Sequence, residues 1–182
     1  MQPRNIAPAT VELSQAETAA IREKFLEGMS RAATTVTIVT TDGAAGRAGV
    51  TVSAMTSVSA EPDAAPTLLV CIHHLSPAAG AIRRNTVFCV NVLPVSRSDI
   101  ADRFAGRVRG ADKFDGAVWT TLQTGSPAAS EALVSFDCEL ASALRQGSHW
   151  IFIGKVVDVA VGDKQSPLVY ANRSYIALRD AS

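Results

Sequence analysis

The sequence has little of what usually announces a mechanism. Its three cysteines, Cys71, Cys89 and Cys138, lie far apart in 182 residues with no CxxC pair. That argues against a disulfide framework and reads as free thiols buried in the strands of a cytoplasmic protein. Histidine is scarce, and His73 and His74 lack the carboxylate or cysteine partners of a zinc site, so no metal is expected. An excess of one charge is also missing. Seventeen basic residues balance seventeen acidic ones, which disfavours nucleic acid or an anionic membrane surface as a partner, because both select a basic face. No apolar run approaches the roughly 18 residues of a membrane span, and residues 1–10 do not form a signal peptide. No GxGxxG opens a helix, and neither a GK[ST] phosphate loop nor a GxSxG elbow occurs. Repeats and low-complexity tracts are missing as well.

Apolar residues make up 47% of the chain and charged residues 19%, the balance of an ordinary globular protein. The length suits one domain, expected over residues 14–182 behind a flexible lead-in at 1–13. Ser14 and Glu17 have the spacing of a capping box, and Ile21, Phe25, Met29 and Ala33 form an apolar stripe expected to pack on the protein's own sheet. From Thr34 the period changes to two. Strands are expected at 34–41, 50–58, 67–72, 87–93, 133–143, 150–161 and 168–178, with short helices at 77–85 and 98–104. Asp42-Gly43 marks a turn. Residues 105–130 read as a long excursion over the surface. A doubly wound α/β sheet would need a helix between most strands, and those are missing, so a closed, mostly antiparallel barrel is the expected architecture.

The most informative stretch is 43–70, GAAGRAGVTVSAMTSVSAEPDAAPTLLV. Glycines at 43, 46 and 49 lead into small and hydroxylated residues. Side chains this small let another body lie against the backbone. Free amides and hydroxyls there suit a polar ring edge or a phosphate, and a flavin has both. A second stretch, Gly147-Ser148-His149-Trp150, puts a histidine at a strand mouth, with Gly154 inside the strand that follows.

With these segments in order, the chain resembles the flavin reductase-like split-barrel family, short-chain NAD(P)H:flavin oxidoreductases that supply reduced flavin to two-component monooxygenases. The resemblance runs from about Phe25 to Leu178 through TTVTIVTTDG, GVTVSAMTSVSAEP, PTLLVCIHHLSP, NTVFCVNVLP, DIADRFAG, DKFDGAVW, TGSP, GSHWIFIGKV and PLVYANRSYIAL. Four departures stand out. The turn Glu61–Pro66 is lengthened, Ser148 replaces an acid before His149, Ser76-Pro77-Ala78 lacks a further hydroxyl or basic residue, and Arg173 replaces a glycine.

The resemblance implies a mostly β, split β-barrel fold with a few peripheral α-helices. It implies FMN or FAD and NADH or NADPH as cofactors, a homodimer, and a flavin-dependent monooxygenase as partner. It places Gly49, Val50, Thr51, Val52, Ser53 and Ala54 along the flavin, with Thr51 and Ser53 as hydrogen-bonders. Cys71, Ile72 and His73 complete the flavin site. Ser76 and helix amides face the phosphate, and Arg103 and Phe104 close the site, the arginine as a counter-charge. His149 neighbours the nicotinamide, with Tyr170, Asn172, Arg173 and Tyr175 flanking the same face. Two other activities are consistent with the barrel: reduction of another acceptor such as a cobalt corrinoid, and non-enzymatic flavin carriage.

Overall fold

The computed structural model describes residues 12–108, 110 and 112–178. Of the expected lead-in, only Glu12 and Leu13 fall among them. Helix α1, Gln15–Arg31, belongs to a unit that ends at Ala32, and the remainder of the chain forms a second unit. Ser14 and Glu17 form the expected capping box, with the Ser14 N–H donating to Glu17 Oε2 at 2.9 Å. The stripe residues Ile21, Phe25 and Met29, expected to be covered, are exposed.

The second unit is built on a seven-stranded, wholly antiparallel sheet. Its strands are β2 (Thr37–Thr41), β3 (Ala48–Val52), β4 (Met55–Ser59), β5 (Thr67–His73), β6 (Val87–Val92), β9 (Val134–Gln146) and β10 (His149–Val161), in the order β3-β2-β6-β9-β10-β5-β4. Its two edges, β3 and β4, are consecutive in the chain and were expected as one strand. They are joined by Ser53 and Ala54, where the Cys71 N–H donates to the Ala54 carbonyl at 3.1 Å. No ladder joins β3 to β4. The barrel is therefore split rather than closed.

A small sheet orders β1 (Thr34–Thr35), β11 (Leu168–Ala171) and β12 (Ser174–Ala177). The expected single strand 168–178 is thus a hairpin, turned by Asn172 and Arg173 at φ +49° and +62°, the two positive values that a tight type I′ turn needs. Helix α2, Pro77–Asn85, follows β5, and α3, Ser98–Phe104, follows β6.

Strand β2 is buried along its whole length because both of its faces are covered. Val39 faces the barrel core with Ala79, Ile82, Phe88 and Phe152, whereas Ile38 faces a second core with Ile100, Phe104, Phe114 and Leu168. Its threonines direct their hydroxyls to backbone carbonyls: Thr37 to Val52, Thr41 to Val87, and Thr40 to Cys89 and Pro127.

The excursion at 105–130 is not confined to the surface. Within it, β7 (Trp119–Thr121) pairs with β8 (Pro127–Ala129), and Ser126, Ala128 and Ala129 are buried. Polar side chains projecting from the barrel hold it down. Asn91 donates to the Pro127 carbonyl at 3.4 Å and accepts from the Ala129 N–H at 2.8 Å. Asp137, fully buried, accepts from the Thr124 N–H and hydroxyl, both at 2.6 Å. Burial and the nearby Asp137 charge push the Cys138 thiol up to about 12. All three cysteines are free, Cys89 and Cys138 buried and Cys71 half-buried.

Gly154 marks a close approach inside β10, beside an irregularity in register against β9. A Cβ there would stand 2.5 Å from the Phe88 ring and 2.9 Å from Cys138 Cβ. Gly154→Ala should cost about 1–2 kcal/mol by overpacking, read as an earlier urea midpoint with an unchanged slope.

Candidate functional site

Edge strand β3 is the axis of the site. An edge strand leaves one row of backbone amides and carbonyls without a ladder partner, so a ligand can bond along it. Val50 and Val52 turn toward the barrel core. Gly49 and Thr51 turn toward α3, where a Cβ on Gly49 would strike the Phe104 ring. Phe104 is buried between Phe114 and Trp119 and supports the strand from beneath. Thr51 donates its hydroxyl to the Ala101 carbonyl at 2.7 Å. Its hydrogen is therefore committed to α3, and only its lone pairs remain for a ligand.

At the carboxyl end of β3 lies a pocket of about 190 Å³, lined by Thr51, Val52 and Ser53, by Ala105 and Arg107 after α3, and by Val36, Tyr170 and Tyr175. The structure thus brings together hydroxyl and tyrosine residues from opposite ends of the chain. Tyr175 donates to Asp102 Oδ1 at 2.9 Å, and Arg107 donates to the same oxygen at 2.7 Å. Burial and the Asp102 carboxylate push the Tyr175 phenol up to about 12, so it remains a hydrogen donor at neutral pH. Asn172 and Arg173 occupy the hairpin turn between the two tyrosine strands.

At the amino end of β3 is a second pocket, of about 410 Å³, lined by Arg47, Ala48, Gly49, Pro77, Asp112, Lys113 and Phe114. Helix α2 begins here. Its N-cap Ser76 makes no side-chain capping bond; Pro77 has no amide hydrogen and the Ala79 N–H donates to the Ser76 carbonyl at 3.0 Å, which leaves the Ser76 hydroxyl and the Ala78 N–H for an anion. Lys113 donates to the carbonyls of Phe104 at 3.1 Å and Gly49 at 3.5 Å, and desolvation lowers its pKa. The Arg47 guanidinium lies 4.3 Å from the centre of the Phe114 ring. Asp112 is also in the lining, and its carboxylate accepts from the Phe114 N–H at 3.0 Å. This donor set fits the phosphate end of a flavin mononucleotide, and the small-residue edge of β3 fits its ring.

Arg103, expected as the counter-charge, lines neither pocket. It donates to the Asp112 carbonyl at 3.4 Å, and its Nε is buried without a partner. It therefore braces the segment that carries Lys113, while Arg47 and Lys113 occupy the position facing the pocket. Neither was singled out in the sequence, because an isolated basic residue in a loop carries no periodic signal.

The rim beyond β5 gathers the histidines. Ile72 is buried and pairs with Trp150, and His73 pairs across the ladder with His149. The rings of His73 and His149 meet edge to face with centroids 5.1 Å apart, and His74 lies 4.9 Å from His73. His149 is exposed, and its Nδ1 is 3.0 Å from Ser148 Oγ.

A family model described as flavin reductase like domain matches residues 29–179. The chain is 41% identical over 169 residues to FMN reductase (NADH) RutF 1 of Methylorubrum extorquens, covering 91% of this chain and 83% of that one. It is 39% identical over 174 residues to FMN reductase (NADH) RutF of Stutzerimonas stutzeri, covering 92% and 98%. Among solved structures, BorF, the flavin reductase component of a bacterial two-component tryptophan halogenase, superposes with a TM-score of 0.77 at 33% identity, covering 87% of this chain and 99% of that one. The flavin reductase PheA2 superposes at 0.78 with 27% identity, covering 87% and 98%.

Proposed function

The chain belongs to the flavin reductase-like domain family, and from that premise we propose that it reduces FMN with NADH and passes the reduced flavin to a partner monooxygenase. It is an oxidoreductase of the flavin reductase type. The choice of FMN and NADH is supported by the relatives at about 40% identity, which carry those two names. The partner oxygenase is supported by the likeness to the reductase component of a two-component system. A corrinoid reductase or a non-enzymatic carrier is not favoured by these relatives. A homodimer, a single flavin reductase domain over 14–182 and a cytoplasmic location belong to the same proposal, the last resting on three free thiols.

One observation carries the reading. A ring-sized strip of small residues on β3 runs from a hydroxyl- and tyrosine-lined pocket to a cationic, uncapped helix start. In this reading Gly49–Ala54, Cys71 and Ile72 hold the ring. Ser76, the Ala78 amide, Arg47 and Lys113 hold the phosphate, and His149 with Tyr170 and Tyr175 orients the nicotinamide. Bound FMN supplies the chemistry, since it accepts the hydride that NADH gives up. The protein's own task is positioning: β3 fixes one ring edge, and the helix start and its cations fix the other end of the ligand. The Tyr175–Asp102 bond fixes the phenol beside the pocket, with its hydrogen committed to Asp102 and its oxygen left to accept.

Steady-state assays pairing FMN and FAD with NADH and NADPH test the reading. The pair FMN and NADH should give the highest kcat/KM, and a protein that turns over neither flavin would overturn it. Lys113→Ala should weaken FMN about tenfold and leave riboflavin, which lacks the phosphate, within twofold. Equal losses for both ligands would remove Lys113 from the phosphate end. Isothermal titration measures both.

A further inference from the structure

The histidine rim has more chemistry than one nicotinamide neighbour requires. We infer that His73, His74, His149 and Arg145 form a docking site for a diphosphate ester, the pyrophosphate of the nicotinamide dinucleotide. This deepens the NADH reading above and rests on it.

The first support is the distribution of charge. None of the seventeen acidic residues lies between Ala64 and Ser98 or between Leu140 and Val157. Those segments build the end of β5, the whole of α2 and the tip of the β9–β10 hairpin. In a chain of zero formal net charge, positive potential is thereby concentrated at one rim. The groups that face the histidines are Arg145 from β9, His149 from β10, and His73 and His74 from β5 and its turn. Arg83 of α2 lies 4.2 Å from the centre of the Trp150 ring, and Arg145 lies 5.9 Å from the same centre.

The second support is how each group is held. The Leu75 N–H donates to His73 Nδ1 at 3.2 Å, so that nitrogen keeps its lone pair and Nε2 carries the proton. His74 Nδ1 lies 3.0 Å from the Ser148 carbonyl, which only accepts, so His74 holds a proton at Nδ1 and leaves Nε2 free to take another. Arg145 donates from Nε to the Gly147 carbonyl at 2.6 Å, which leaves its terminal amino groups for a ligand. Desolvation, then the charges of His74, His149 and Arg145, lower the His73 pKa. Every charge acting on it is positive. An assembly of like charges is unfavourable alone and is relieved by a bound anion.

Protonated imidazoles bind the anion more tightly than neutral ones, so affinity should fall as pH rises. On the wild-type protein, ADP should inhibit NADH oxidation competitively against NADH and not against FMN, and adenosine should not inhibit. Arg145→Ala should raise the KM for NADH and the ADP inhibition constant about tenfold and leave the FMN Kd within twofold. His74→Gln should likewise raise the ADP inhibition constant and leave the FMN Kd within twofold. An unchanged KM in folded Arg145→Ala, or ADP competing with FMN instead, would overturn the assignment; the second outcome would give the rim to the flavin phosphate. Histidine NMR of the wild-type protein with ADP separates the two readings. If the protein fails to oxidise NADH while ADP still shifts the His74 ring signals, the site stands and the proposed activity falls. If NADH is oxidised and ADP leaves those signals unmoved, only the site falls.

Discussion

Asp137→Ala should lower the unfolding free energy by about 2–4 kcal/mol. The carboxylate is fully buried and accepts two 2.6 Å bonds from Thr124. Its removal strands a buried amide and a hydroxyl, each costing about 1–3 kcal/mol when unsatisfied. Relief from burying a charge offsets part of that sum. In a chain of this size, 1 kcal/mol moves Tm by about 2–4 °C, so a loss of about 4–16 °C is expected by calorimetry. The same substitution unpins the segment that ends in β8, whose partner strand β7 starts at Trp119. Trp119 Nε1 donates to the Phe114 carbonyl at 2.8 Å, next to Lys113. FMN affinity should therefore fall along with stability. A wild-type Tm in the alanine variant would show that the network does not carry the segment.

His149→Ala should lower kcat/KM for NADH by about ten- to a hundredfold, equivalent to roughly 1.4–2.7 kcal/mol of lost positioning. The side chain is exposed, so the fold should survive, and FMN binding should hold because neither pocket beside β3 includes it. Anaerobic stopped-flow mixing with NADH reads the effect as slower loss of flavin absorbance. Ser148→Ala, which removes the hydroxyl 3.0 Å from His149 Nδ1, should give a smaller loss of the same kind. Full activity in His149→Ala would reduce the histidine to a strand-edge residue.

Most of the strands were legible in the sequence, because alternation and β-branching are local properties. The breaks were not. Residues 50–58 read as one strand, yet Ser53 and Ala54 divide it, since the two edges of the curled sheet meet there. That is a consequence of how the whole sheet curls and leaves no local mark. The Asn172–Arg173 turn was hidden in the same way, within a run that reads as strand. The burial of Ser126 to Ala129 was missed because small and polar residues resemble a loop. Its signal lay elsewhere, in Asn91 inside the apolar run FCVNV and in Asp137 within the alternating SFDCEL. The site was legible as segments and not as contacts. Thr51, Ser53, Tyr170 and Tyr175 do converge, whereas Arg103 points into a loop while Arg47 and Lys113 face the pocket.

The strand order has a consequence for how the chain folds. The pairs β2–β3, β4–β5, β9–β10 and β11–β12 are each neighbours in sequence. The largest of them joins two thirteen-residue strands through Gly147 and Ser148 alone. Such hairpins zip in about 1–10 μs. The ladders β2–β6, β6–β9, β10–β5 and β1–β11 join segments far apart in the chain, and each must first pay for loop closure. The local hairpins are therefore expected to form ahead of the long-range ladders. The seam between β3 and β4 takes shape only after both outer hairpins have found their distant neighbours.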